Sequence, residues 1–471
     1  MKKYLSRAAL VLVFLVLLVA VYAGFDYVIS DDTETQTRVT FHDYYAAGKI
    51  DYLFIGPSHS IHEINAVKLS EDLNKNVFNL TTAAQDFIGS YHLLKEAVAD
   101  KRTNRVFMEL SVSRLAIKQT DETAAYIIAD YIKSPLIRAQ YLFRSFDMEG
   151  YINAFLRLRR NIDPQHLPSA KDLTKTYRTK RDSAYVTYEG GERYMGKGQW
   201  ASWASLANDE TGTTAVCYQA SGLNNFKLED VQERELSYLH KIIQLCKDNG
   251  VELTFYLPPY SDLYLYKFEQ YEAVTDIFLQ IAAQADIPVI DLNKVKDEYL
   301  DFTLADFYNP DHLNAYASDR IADFFVQYIN NPDGDYFYDT LQEKHPVNDD
   351  ILSVAYNRYF VTADEEYTKR DQVKGDIESM RLQISALSWV ARPVDVKLYQ
   401  SEKNEVLLDE ASEETKIEWI DGEEIPGEKL DAYAAEYVVP FKDMKPYYKV
   451  VLLDPDTHAV LYETHTRFNM K

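Results

Sequence analysis

Hydrophobic patterning divides the chain into three parts. Ala8–Phe25 is apolar throughout and follows Lys2, Lys3 and Arg7. A basic flank before an apolar run of bilayer length predicts a membrane-crossing helix. Val21-Tyr22-Ala23 offers a cleavage site, so a removed signal peptide competes with a retained anchor. The length of the run favours retention, and residues 1–29 are expected to form a signal-anchor. On either reading the remainder is exported, and if retained the chain sits in the cell membrane as a single-pass protein.

The second part alternates apolar runs of strand length with amphipathic helical stretches. Strands are predicted at Asp51–Ile55, Val77–Leu80, Arg105–Leu110, Val251–Leu257 and Ile287–Leu292. Helices are predicted up to Leu73 and over Tyr91–Ala99, Asp230–Asn249, Tyr266–Ala285 and Asn314–Ile329, with Gly250 placed to stop the third of these. Such alternation implies an α/β fold, a five-stranded parallel sheet covered on both faces. It spans about 41–331 and is interrupted by an insertion, about 111–225, in which Tyr126–Phe146 is the clearest helical stretch. From Val347 to Lys471 short alternating runs separated by turn pairs such as Asp421-Gly422 and Asp454-Pro455 predict a C-terminal β-sandwich.

Composition narrows the partners. The net charge of −24 argues against nucleic acid, which needs a basic face. The insertion reverses that sign locally, with Arg157, Arg159, Arg160, Lys171, Lys175, Arg178, Lys180 and Arg181. The cluster reads as a solvated surface, as a face toward anionic headgroups, or as a groove for an anionic polymer in which Arg178 and Arg181 bind substrate. Gly190-Gly191 and the Gly196–Trp203 segment read as a lid, with Trp200 and Trp203 as sugar-stacking rings or core tryptophans. Cys217 and Cys246 are the only cysteines; Cys246 lies on a helical apolar stripe as a buried thiol, and a single disulfide stays open. No Cys/His cluster has metal-site spacing, and neither a metal nor a cofactor is expected.

In parallel sheets functional groups gather at the carboxyl ends of the strands. Ser58 follows the first strand in the run Gly56-Pro57-Ser58-His59-Ser60, the Asn79–Gln85 loop follows the second, and His312 follows the fifth in Asn309-Pro310-Asp311-His312. All three therefore map to one rim. A serine hydroxyl becomes a nucleophile when a base takes its proton and a third group orients the base. His59 and His62 read as surface or supporting residues rather than as that base.

These motifs resemble the SGNH (GDSL-like) hydrolase superfamily. With the N-terminal anchor, they are similar to its membrane-anchored branch: alginate O-acetyltransferase-like proteins and the SGNH protein of teichoic-acid D-alanylation. The resemblance covers 41–331 without the insertion. It implies a three-layer α/β/α fold and extracytoplasmic transfer or hydrolysis of acyl esters on a cell-surface polysaccharide or teichoic-acid-like polymer. It also implies a membrane-bound O-acyltransferase partner that supplies the acyl group. Position by position, Ser58 matches the nucleophile and His312 the general base. The Ser58 backbone N–H matches one oxyanion donor, and Asn79, Thr81 and Thr82 fall in the block that supplies another. The family's orienting acid falls at Asn309, an amide here. Asp311 is adjacent to the histidine and expected to point poorly, although it or Asp306 stands in reserve. The third block, Gly-x-Asn-Asp, is replaced by Glu109-Leu110-Ser111. A polysaccharide deacetylase and a non-catalytic scaffold for a membrane acyltransferase are the competing readings.

Overall fold

A computed structural model describes residues 2–29, 35–161, 167–182, 185, 193–205, 227–261, 264–265, 270–309, 311–345, 351–367, 372–388, 393–402, 404–409, 414–419 and 422–467. The first helix, α1 (Lys2–Ile29), contains a stretch, Ala9–Ile29, long and apolar enough to cross a membrane or act as a signal, and none of it is buried in the protein. Next come α2 (Thr35–Ala46), β1 (Tyr52–Gly56), α3 (Ser58–Glu63), α4 (Ala66–Leu73), β2 (Val77–Thr81), α5 (Phe87–Ala99) and β3 (Arg105–Glu109). The insertion follows with α6 (Glu122–Ala129), α7 (Pro135–Ser145), α8 (Met148–Phe155), α9 (Arg157–Asn161), α10 (Ala170–Arg181), β4 (Arg193–Gly196) and β5 (Gln199–Ala201). Then α11 (Glu233–Asn249), β6 (Glu252–Leu257), α12 (Tyr271–Ala285), β7 (Val289–Asp291), β8 (Phe307–Asn309), β9 (His312–Leu313) and α13 (Ala315–Asn330) complete the α/β part.

The five-stranded sheet has the order β2-β1-β3-β6-β7 and every pairing in it is parallel. Both faces are covered, which the alternation along each strand explains. Leu53, Ile55, Val106, Met108, Phe255 and Leu257 join one core with α5, α11 and α12. Phe54, Phe107 and Tyr256 point the other way, into a second core with α4 and α13. The result is three layers, as the periodicity predicts.

Two details differ from expectation. The helical stretch Tyr126–Phe146 is two helices, because Ser134 accepts from Ile137 N as an N-cap and Pro135 opens α7. The fourth helix begins at Tyr271; the expected 266–269 portion, like Cys217 and Gly190-Gly191, lies outside the described residues.

The insertion returns to the sheet as the β4–β5 hairpin. Its turn rests on edge strand β2: Asn79 N donates to Lys197 O at 2.9 Å. Gly198 has φ +88°, and a Cβ there would meet Asn79 O at 1.8 Å, so only glycine permits the approach. Beyond 347 the described residues form three antiparallel sheets: a five-stranded one that includes Ser379–Ser388 and a four-stranded one that includes Tyr447–Leu453 face each other across Met380, Leu382, Leu398, Tyr448 and Val450, and Asn404–Asp409 pairs with Glu414–Trp419 as a separate ribbon. This is a β-sandwich.

Candidate active site

β1 ends at Gly56, and Pro57 turns the chain so that Ser58 opens α3. Gly56 is dictated by its neighbour across the sheet. A Cβ there would lie 2.5 Å from Glu109 Cβ and 2.9 Å from Ser60 Oγ. The space is filled by the Glu109 carboxylate, which accepts from Ser60 N (2.9 Å) and Ser60 Oγ (2.5 Å). Ser60 Oγ also bonds the Tyr256 hydroxyl. The first turn of α3 is thereby fastened to β3 and β6 beneath it.

Ser58 Oγ lies 2.8 Å from His312 Nε2. On the far side of the ring, His312 Nδ1 is 2.9 Å from Asp311 Oδ1 and 3.0 Å from Asn309 Oδ1. The two acceptors do different work. Asn309 Oδ1 also accepts from Asp311 N (3.1 Å) and His312 N (2.8 Å), closing the β8–β9 turn. Asp311 supplies the carboxylate. The expectation that adjacency would aim it poorly fails, because that tight turn folds its side chain back alongside the following ring. Asp306 is elsewhere: its carboxylate accepts from Thr303 N and pairs with Arg320.

Two further histidines frame this array, and both are buried rather than on the surface. His59 stacks on His312 with ring centres 4.7 Å apart and planes 19° apart. Its Nδ1 bonds Glu109 Oε1 at 2.8 Å, and its Nε2 faces Asp311 Oδ2 at the ion-pair distance of 3.7 Å. Burial alone would depress its pKa, but the Glu109 carboxylate, helped by Asp311, overcomes this and raises it to about 10. Conversely, burial would raise Asp311, and hydrogen bonds and charge from His312 and His59 hold it well below the usual carboxylate range. His62 stands edge-on to His312 at 5.6 Å and is pushed down to about 3 by burial and by the nearby His312. It is therefore a neutral ring. Glu63, fully buried and without a hydrogen-bond partner on either oxygen among the described residues, is driven well above its ordinary pKa by burial.

His59, Asp311 and His312 bring potential metal-ligand atoms within 4.8 Å of one another. They fit a cation poorly. Their donor atoms are already engaged with one another and with their neighbours: His312 Nε2 with Ser58 Oγ, His312 Nδ1 with Asp311 Oδ1, and His59 Nδ1 with Glu109 Oε1.

Other expected residues are placed differently. Asn79 lies within β2, fully buried, and donates one of its two amide N–H groups to Ser60 O at 2.6 Å. Thr82 N donates to Gly56 O at 3.4 Å, and the Thr82 hydroxyl bonds Gln85. The Thr81 hydroxyl is buried with no partner among the described residues. Trp200 is 2% exposed and its indole N–H donates to Thr40 Oγ1, so it is a core ring and cannot stack on a sugar. Trp203 is 41% exposed and lies edge-on to Tyr316 at the start of α13. Arg178 and Arg181 sit on α10, which packs on α1; Arg181 donates to Tyr177, whose ring touches Tyr27. They lie on a helix that packs on α1 and not beside the Ser58–His312 array.

Glu109, Ser60 and Tyr256 are supporting residues that motif reasoning passed over. The available signal was a glutamate ending the apolar run Arg105–Leu110, since a carboxylate carried into a core demands donors.

No protein-family model matches the chain, and no curated protein does either. A solved structure from Bacteroides fragilis, described as a "putative acylhydrolase", aligns at 8% identity with a TM-score of 0.29, covering 62% of this chain and 94% of that one. A likeness that faint carries no argument about activity. What the chain's own geometry defines is a three-layer α/β protein with serine, histidine and carboxylate in hydrogen-bonded series on one rim of a parallel sheet.

Proposed function

We propose that the chain is a serine acyl-transfer enzyme of the SGNH kind, anchored by α1 and working outside the membrane. It would carry acyl esters to or from a cell-surface polysaccharide or teichoic-acid-like polymer. The observation that carries this reading is the 2.8 Å contact between Ser58 Oγ and His312 Nε2, backed by Asp311. We assign residues 1–29 to the anchor, 41–331 to the catalytic unit and 347–471 to the sandwich.

In the first half-reaction Ser58 Oγ bonds to the acyl carbonyl carbon while His312 Nε2 takes the hydroxyl proton. Asp311 holds the Nδ1 proton and offsets the charge that the ring acquires. The Ser58 backbone N–H, unspent because it opens the helix, faces the developing oxyanion. The Thr81 hydroxyl is the donor we place beside it. Collapse breaks the ester bond, the leaving alkoxide receives the proton from His312, and the acyl group remains on Ser58. A polymer hydroxyl then repeats the sequence in reverse for transfer, or water does so for hydrolysis. A membrane-bound O-acyltransferase is the acyl source that the family resemblance implies.

A fluorophosphonate probe tests the chemistry. Full-length protein should label, and Ser58→Ala should abolish the label. Absence of labelling in both would sink the enzyme reading and favour a scaffold. If label is present, release of free acetate rather than polymer-bound acetyl would favour the deacetylase.

A further inference from the structure

Where α1 meets the insertion, a cavity of about 650 Å³ lies between Leu18, Val19 and Tyr22 on one side and Ile132, Ala139 and Leu142 on the other. Its lining is apolar except near Tyr22, Lys133 and Arg138. The Tyr22 hydroxyl and Arg138 Nε are both out of solvent without a hydrogen-bond partner among the described residues. Buried donors in that state are unusual and call for a polar group that none of the described residues supplies.

The depth of the cavity identifies its surroundings. Arg157 pairs with Asp26 at 4.0 Å, which sets a polar level on α1. Tyr22 lies one turn below Asp26 and Leu18 two turns below, roughly 6 and 12 Å at the rise of an α-helix. That is the hydrocarbon depth of the leaflet facing the folded part. The insertion's own surface agrees. Leu136 and Phe143, two turns apart on one side of α7, are each 68% exposed, and Met148 beyond them is 71% exposed. Around the same corner Arg138, Arg157 and Arg160 converge on Asp130. Three guanidinium groups against the two carboxylates Asp130 and Asp26 leave an excess positive charge in a chain of net charge −24.

We propose that this groove holds an acyl chain of an anionic phospholipid, with its phosphate at Arg138 and its ester region at the Tyr22 hydroxyl. Leu136 and Phe143 seat α7 in the same leaflet. α1 is then one wall of a lipid site as well as an anchor. The argument does not depend on the chemistry at Ser58.

The test uses the full chain in phosphatidylcholine–phosphatidylglycerol vesicles containing a trace of phosphatidylglycerol with a diazirine on its acyl chain. After photolysis, adducts should map to Leu142 on the cavity side of α7 as well as to α1; these, rather than adducts at the lipid-facing Leu136 and Phe143, report the groove. Ala139→Trp should cut the α7 adducts several-fold at unchanged Tm. Leu18→Trp fills the cavity from the membrane side and should do the same without touching the folded part. The matching phosphatidylcholine probe should label α7 several-fold less, and Arg138→Gln should erase that preference. Labelling at Leu142, on the cavity side of α7, that persists in both tryptophan variants, or equal labelling of that side by the two lipids, overturns the proposal. So does an unlabelled α7, which would leave the groove to a transmembrane helix of another protein.

Discussion

The rim around Ser58 and the corner between α1 and α7 invert the usual partition of a protein in opposite ways. At the rim, charge is inside: Glu109 and His59 are buried, and Asp311 reaches in to meet them. At the corner, apolar surface is outside, with Leu136, Phe143 and Met148 exposed. Buried charge survives only where every group has a counter-charge or donor, and exposed apolar surface persists where something other than water covers it. The contrast teaches that the rim's buried charges are completed from within the fold, whereas the corner's apolar surface is left for its surroundings to cover.

Substitutions at the rim should sharpen that contrast, beginning with the orienting carboxylate. Asp311→Ala should lower ester turnover about 10²- to 10⁴-fold, the range for a lost triad acid. Asn309→Ala, which removes one neutral acceptor and a turn contact, should cost about tenfold. Equal losses would mean that the two acceptors are interchangeable. Glu109→Ala should destabilise the fold by about 3 kcal/mol in urea unfolding, because it leaves the buried His59 with only the more distant Asp311 as counter-charge. A loss below about 1 kcal/mol would show that the cluster is solvated.

The smallest expected effect carries a sign. Glu63 has a raised folded pKa against an unfolded value of 4.5, so the stability it allows is complete below pH 4.5 and declines as pH rises above it. Glu63→Gln removes that decline. Its Tm should match wild type at pH 4 and exceed it at pH 8. A flat difference across that range would refute the assignment of Glu63 as a buried neutral acid.

Much of the α/β part was legible because its strands are apolar runs placed between amphipathic helices, and their order alone puts Ser58 and His312 on one rim. The carboxylate was less legible. Whether residue 309 or 311 faces the ring depends on a turn of four residues, below the resolution of any periodicity. Glu109 was hidden by the family pattern, which expects an amide-bearing loop at that place. Trp200 stayed open between sugar-stacking ring and core residue, because nothing in Gln199-Trp200-Ala201 signals burial until the hairpin is seen lying on β2.

That hairpin has a consequence for the chain while it folds. β2 is an outer strand of the parallel sheet, and an uncovered outer strand is a template on which other chains add themselves. Lys197 and Gly198 occupy part of that template from within the same polypeptide. The insertion therefore covers part of an edge on which a second copy could pair, and removing the hairpin is expected to raise self-association, which light scattering of the trimmed chain would check.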